Sequence, residues 1–392
     1  MKWKNKGKEF DEIWKEMKIS SDEEICFYLF GAGKRGTELC SLFRLMGLLQ
    51  NVKAFLDNDK ALINTVKDGL SVQELSGYIP RKNSIVIISV GEKYEKEISE
   101  QLDEFGLKKN VDYFLWNDFY NYYFPLILLY KYNILFDDMV QISLTERCTL
   151  RCKNCAHTCP YTDKNNKLDL TIDEAMNSID SFFGTFDYVN RFTLLGGEPL
   201  LYKNICEVTQ YLGEKYRSRI NDCFITTNAT IIPNEQLLNI CKNYNIGFEI
   251  SDYRVAVPAI RNRVNEFIEC LEKETIKYRV LNDDWIDLGF LYINNTNKEA
   301  ERIFDLCKAP CHEVRLNRYY TCILARCASE NIYANEGNEY YIEIGSKDEV
   351  TRKIAFEFIQ GYCQEGYLKM CKHCNGLFSK NNKVTPGEQL LL

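Results

Sequence analysis

Met139-Val-Gln-Ile-Ser-Leu-Thr-Glu-Arg-Cys148-Thr-Leu-Arg-Cys152-Lys-Asn-Cys155 carries an apolar strand, Val140–Leu144, straight into a thiol-rich loop. The loop spacing is C-x3-C-x2-C. Structural zinc wants four ligands, commonly in two C-x2-C pairs, and this spacing fits it poorly. An iron–sulfur cube has four irons that thiolates normally cap. Three cysteines on one short loop would leave one iron open for a ligand, as an open coordination position does in a catalytic metal site. Zinc and three buried structural cysteines remain the alternatives.

Working outward, strand and helix patterns alternate on both sides of this stretch. Towards the C-terminus a capping box, Thr171 with Glu174, opens a helix. Strands are expected at Phe192–Leu195, Cys223–Thr227, Gly247–Ser251 and Tyr278–Leu281. Such repeated βα units suit an open parallel barrel. Towards the N-terminus, strands at Ile25–Phe30, Val52–Leu56 and Ser84–Val90 alternate with helices Lys34–Met46 and Glu92–Phe105. That pattern predicts about half of a doubly wound parallel sheet. An aromatic linker, residues 113–132, joins the two series. From Cys307 short cysteine- and tyrosine-rich segments follow, and the last dozen residues read as a loose tail. The expected fold class is therefore α/β in three parts: residues 1–130, 131–300 and a small cysteine-rich unit, 301–392.

Gly196-Gly197-Glu198-Pro199 follows the second strand of the central series. With the three cysteines it resembles the radical S-adenosylmethionine (SAM) superfamily, and residues 139–300 carry the resemblance. The resemblance implies a partial (β/α)6 barrel. A 4Fe–4S cluster on Cys148, Cys152 and Cys155 would be chelated at its open iron by the amino and carboxylate groups of SAM. Reductive cleavage of SAM would then give a 5′-deoxyadenosyl radical. Gly196 and Gly197 would let the backbone approach the methionine end of SAM, with the Glu198 carboxylate accepting from its ammonium. Asn228, in Phe224-Ile-Thr-Thr-Asn228, would face the ribose. Ser251 and Arg254, in Glu249-Ile-Ser-Asp-Tyr-Arg254, would reach the hydroxyls or carboxylate. One position departs from the pattern: Asn154 stands where many members have an aromatic residue against the adenine. The run Cys155-Ala-His157 is similar to a subset found among bacterial polysaccharide genes. Cys159 reads as a spare thiol.

A second cysteine field comprises Cys307, Cys311, Cys322, Cys327, Cys363 and the pair Cys371-Lys-His-Cys374. It resembles the reduced C-terminal module called twitch, a shortened SPASM module, which holds an auxiliary 4Fe–4S cluster. Residues 313–322 read as a hairpin delivering Cys322. The expected ligands are Cys322, Cys371 and Cys374, with Cys311 or Cys307 fourth. Cys327 and Cys363 are expected to be unligated, and a zinc knuckle on the same cysteines is the alternative. His157, His312 and His373 stand beside cysteines without metal spacing and read as supporting or incidental.

Gly31-Ala-Gly33-Lys-Arg-Gly36 is G-x-G-x-x-G between a strand and a helix, and Asp57 ends the next strand. This context suits a dinucleotide-type turn, with a pyrophosphate at the helix N-terminus and Asp57 on ribose hydroxyls. The segment also resembles the small Rossmann-like domain that precedes some bacterial sugar acetyltransferases and holds a nucleotide-sugar. The alternative is a relic or assembly domain that binds nothing.

Composition bounds the rest. Of 392 residues 17 are cysteine, the hydrophobic fraction is 45%, and net charge is −7. Seventeen thiols in a chain whose charged start lacks a signal-peptide core suggest metal sites in a reduced cytoplasmic protein rather than disulfides. The acidic balance argues against nucleic acid as a partner. The most apolar stretch, residues 122–136, is too short and polar for a membrane span. The expected function is radical abstraction of hydrogen from a carbohydrate or nucleotide-sugar, by oxidation or epimerisation, in glycan or polysaccharide biosynthesis. A flavodoxin or ferredoxin would supply electrons. A peptide-modifying maturase is the alternative.

Overall fold

Every residue of Cys26–Phe30 (β1) is buried, as a strand covered on both faces requires. This strand centres the first of two units in the computed structural model, which describes residues 1–390 except 18, 20–22, 164–167, 283, 308 and 310. The units are Phe10–Phe136, and Met1–Glu9 with Asp137–Leu392.

After a short helix, Asp11–Glu16 (α1), the first unit runs β1, Lys34–Leu45 (α2), Val52–Leu56 (β2), Val66–Lys67 (β3), Leu70–Gln73 (β4), Ser84–Ile88 (β5), Glu92–Glu104 (α3) and Tyr113–Leu115 (β6). Its sheet order is β3-β4-β2-β1-β5-β6, and all pairs but the β3–β4 hairpin are parallel. Strand order therefore reverses at β1, where Ser89 Oγ donates to the carbonyl of Gly31 at 2.9 Å. The hairpin was not expected. Its turn, Asp68-Gly69, has both residues at positive φ, and its strands are too short and polar to show as an apolar run. The expected linker, residues 113–132, is instead part of this unit. A turn, Trp116–Asp118 (α4), and a π-turn lead into Phe124–Tyr132 (α5). Phe119 packs on Phe27, and Phe124 on Phe43. The unit thus ends at 136 rather than 130.

The second unit runs Phe136–Ser143 (β7), Ile172–Thr185 (α6), Tyr188–Leu195 (β8), Ile205–Tyr216 (α7), Ile220–Thr227 (β9), Glu235–Asn243 (α8), Gly247–Ser251 (β10), Arg261–Lys273 (α9) and Tyr278–Leu281 (β11). It continues through Trp285–Ile286 (β12), Asn297–Leu306 (α10), His312–Arg315 (β13), Arg318–Tyr320 (β14), Ile323–Asn331 (α11), Ile342–Glu343 (β15), Glu349–Ile359 (α12) and Lys383–Val384 (β16). The α6 capping box forms as expected. One sheet is ordered β11-β10-β9-β8-β7-β13-β14-β15, with β8 to β11 paired in parallel and β13 parallel to β7. The cysteine-rich segment is therefore no separate unit, because its hairpin extends the central sheet through β13. Residues 1–9 also belong here: Met1 and Trp3 bond to Cys363 through the backbone, and Gly7 and Glu9 donate to Glu357.

Within the tail expected to be loose, β16 pairs antiparallel with β12. Among the described residues no helix is long and apolar enough to cross a membrane.

Candidate functional site

The cysteine loop leaves the end of β7 and is fastened before its first thiol. Thr145 Oγ1 donates to Asp169 at 2.6 Å, and Arg147 forks onto the same carboxylate at 3.0 and 2.7 Å. Between them Glu146 turns inward to Arg326 at 2.8 Å. Arg326 is fully buried and also binds Glu313 and Glu330. Burial would push the Glu146 carboxyl up, but Arg326 and Arg315 outweigh it and hold it low.

The next strand end is pressed against this loop. A Cβ on Gly196 would stand 2.3 Å from the Thr145 carbonyl oxygen, and one on Gly197 2.3 Å from that of Arg147. Only glycine permits the resulting bonds, Gly197 N to Thr145 O and Glu198 N to Arg147 O, both 2.7 Å. The glycines make room for the loop that carries Cys148, and both also line the cavity beyond it.

Beyond them lies a cavity of about 310 Å³ lined by Cys148, Cys152 and Cys155 together with Gly196, Gly197, Asn228, Ser251 and Tyr253. Among the described residues no three His, Cys, Asp or Glu side chains close on one point as ligands of a single ion would. A four-iron cube is capped from outside, so its thiolates line a space rather than meet, and the donor set and the cavity fit such a group. Burial pushes the Cys148 thiol up to about 12 and that of Cys152 to about 11. Cys155 moves the other way, chiefly through the neighbouring Cys159 thiol, whose Sγ stands 3.8 Å from the His157 carbonyl oxygen. His157 also lines the cavity, and burial pushes it down to about 4.

Glu198 stands behind the cavity wall, fully buried. Its carboxylate accepts from Leu200 N at 3.1 Å, Thr227 Oγ1 at 2.8 Å and Asn228 N at 2.9 Å. Burial nonetheless pushes it up to about 7. Pro199, itself buried, opens a single turn beside it. Asn228 spans the site: its Nδ2 donates to Thr149 at 3.0 Å and approaches Cys148 Sγ at 3.6 Å, while its Oδ1 accepts from Thr230. Ser251 lines the cavity, whereas Arg254 is not among its lining residues. Arg254 is held away by a two-pronged pair with its own neighbour Asp252, and by Asn265. Tyr253, within the same run, lines the cavity, and burial raises its hydroxyl. Its ring packs edge-on to Trp285. These two aromatics carried no spacing that would have marked them.

In the second cysteine field, Cys307, Cys322, Cys371 and Cys374 lie close enough to bias one another's ionisation. Burial raises the Cys322 and Cys371 thiols, and that of Cys374 to about 12. Asn295 Nδ2 donates to the carbonyls of Cys371 and Cys374 at 2.8 Å, and Glu339 accepts from Lys369 N and Met370 N. Cys311 is elsewhere, with its Sγ 3.9 Å from Met139 Sδ, whereas Cys307 lies by Cys322 and Cys374. Cys327 and Cys363 are fully buried outside the quartet. His312 belongs to a buried triad with Asp137 and Tyr319, and His373 stacks on Tyr333.

In the first unit Gly31, at φ +113, is packed against Val90, and Gly36 against Gly31 and Phe55. Gly33 is exposed with open space where a side chain would go. Asp57 braces the turn: Oδ2 accepts from Ala32 N at 2.7 Å and Oδ1 from Asp59 N at 2.9 Å.

Residues 142–307, which include the three cysteines that line the cavity, match the Radical SAM superfamily. A GTP 3′,8-cyclase of Syntrophomonas wolfei is 26% identical over 180 residues, 45% of each chain. The chain thus spans less than half the length of that curated relative. Among solved structures, BtrN in complex with AdoMet and 2-DOIA is similar at 18% identity and TM-score 0.37, covering 62% of this chain and 94% of that one. Streptococcus suis SuiB bound to precursor peptide SuiA is similar at 19% identity and TM-score 0.32, covering 53% and 47%.

Proposed function

We propose that Cys148, Cys152 and Cys155 hold a 4Fe–4S cluster, with SAM beside it in the cavity, and that the protein abstracts hydrogen from a nucleotide-linked or other carbohydrate substrate. One observation carries the chemistry: three thiols and the Gly196–Gly197 strand end, all within residues 142–307, line a single cavity. When bound, the pair supplies a 5′-deoxyadenosyl radical. The chain's own residues bind and orient. Asn228 and Ser251 offer polar groups to a ribose, and Glu198 fixes Asn228 through its backbone N–H. Buried thiols held at high pKa become thiolates only against a cation, so iron loading releases protons.

Cys307, Cys322, Cys371 and Cys374 would hold the auxiliary 4Fe–4S cluster of a twitch-type module. The substrate class rests on the first unit, read as Rossmann-like. Its strand order reverses at β1, beside a glycine turn whose Gly33 faces open space, as a diphosphate site at a topological switch point requires. The name of the matching cyclase, with its nucleotide substrate, is compatible with this reading. The hold that Asp57 keeps on Ala32 N favours a second reading, in which the turn is closed by the chain itself and a peptide is modified instead.

Anaerobic reconstitution followed by dithionite and SAM tests the central claim. Release of 5′-deoxyadenosine is expected; a fully loaded protein that never cleaves SAM would overturn it.

A further inference from the structure

The segment from Lys383 to Leu390 makes a second, independent hold on the cysteine loop. It begins as β16, paired with β12. It then lies antiparallel to residues 151–153: Lys153 N donates to the Glu388 carbonyl at 2.7 Å, and Leu390 N to that of Arg151 at 2.8 Å. Just before them Gly387, at φ +77, lies against the Tyr253 ring, where a Cβ would come within 2.7 Å.

Within this strap the orientation of the Gln389 carboxamide is fixed by its partners. Oε1 accepts from Arg151 N at 2.7 Å, and Nε2 donates to the Gly387 carbonyl at 2.6 Å. Flipping the amide would set donor against donor and acceptor against acceptor. The remaining N–H therefore points where the structure places it, at Cys152 Sγ, 3.4 Å away. A strap needed only to cover the loop would not require a carboxamide satisfied at all three positions.

We infer that Gln389 is a positioning residue for the cluster reaction, whose N–H donates to the Cys152 sulfur and eases the one-electron reduction. The inference rests on the reading of Cys148, Cys152 and Cys155 as cluster ligands. An N–H donor stabilises the more negative, reduced state, and hydrogen bonds to cluster sulfurs are one lever on potential. The electron comes from the external reductant, and the N–H proton is not transferred. Opposite Gln389 in the strap Cys152 is buried, while Arg151 and Lys153 on either side of it stay exposed.

The test is a potentiometric titration of the reconstituted protein, following the paramagnetic signal that changes when SAM is added. In Gln389→Leu the reduction equilibrium should fall three- to tenfold, about 30–60 mV at 59 mV per tenfold for one electron. Gln389→Glu keeps the shape and the bond from Arg151 N but turns an oxygen towards sulfur, and should fall at least as far. Iron release to a chelator should quicken in Gly387→Val, which displaces the strap from Tyr253. Unchanged potentials in both Gln389 variants, with iron content and melting as in the wild type, would overturn the inference. A wild-type protein without any SAM-responsive signal would instead overturn the reading of the cysteine triad itself.

Discussion

The carboxylate of Glu198 accepts the backbone N–H of Asn228 at 2.9 Å, tying the end of β8 to the end of β9 behind the cavity. The glutamate of a glycine-glycine-glutamate run therefore shapes the site from outside its wall. Its cost is electrostatic, because a fully buried carboxylate has three donors among the described residues to replace water.

That cost gives a pH dependence with a definite sign. The folded value of about 7 lies above the ordinary 4.5, so the folded state binds the proton more tightly than the unfolded one. The associated stability is fully present below about 4.5 and is lost as pH rises through about 7. Glu198→Gln should remove this slope. In cluster-free protein its stability relative to wild type should improve by up to about 3 kcal/mol between pH 5 and 8. Denaturant midpoints at the two pH values check this, and a constant difference would contradict it.

The glycine pair offers a steric prediction. Gly196→Ala and Gly197→Ala each drive a methyl into loop backbone, so each should lose about 1–3 kcal/mol and much of the iron held by the triad. Gly33→Ala, facing open space, should change stability by less than about 0.5 kcal/mol. Urea unfolding of the three variants decides the ordering.

Arg326→Leu strips its guanidinium from Glu313, Glu330 and Glu146, two of them buried, and leaves Glu146 with Arg315 at 3.6 Å. Removing one partner of a buried ion network costs about 3–5 kcal/mol. Because Glu146 lies two residues before Cys148, iron retention by the triad should fall with stability. Triple replacement of the three carboxylates by Gln alongside Arg326→Leu should recover part of the stability.

Two distinct kinds of information account for what the sequence revealed. Covalent spacing, as in Cys148, Cys152 and Cys155, constrains thiols to one loop whatever surrounds them, and period-based strand assignments survived because buried parallel strands are apolar throughout. What failed depended on contacts between distant segments. The distance of Cys311 from the quartet and the burial of the Glu198 carboxylate are tertiary facts. Gln389 was invisible for the same reason: a polar residue in a Pro-Gly-containing end segment looks like solvent-exposed chain until its partners, 238 residues earlier, are in place.

The two cysteine groups should separate by iron count. Reconstituted wild type should hold about eight irons, and Cys148→Ala/Cys152→Ala/Cys155→Ala about four. Cys307→Ala should lose auxiliary iron while Cys311→Ala keeps it, since Cys311 lies by Met139. Stoichiometric zinc and no iron in the triple variant would assign the quartet to zinc.

The last prediction concerns the glycine turn of the first unit. An activated sugar bound there would place its diphosphate at the N-terminus of α2, where unpaired N–H groups and the helix dipole favour an anion. Gly33 caps that helix in an extended conformation, φ −92 and ψ −163, which other residues also adopt. Valine at 33 therefore fits the backbone and meets no neighbour, yet fills the space a phosphate would occupy. Gly33→Val should melt like the wild type and lose nucleotide-sugar binding at least tenfold in calorimetry. Gly31 cannot serve as this probe, because a side chain there strikes Val90 and would disturb the fold itself. If a panel of nucleotide-sugars binds neither protein, Asp57 closes the turn rather than holding a ribose. The first unit is then a docking or assembly element, and a peptide substrate becomes the better reading.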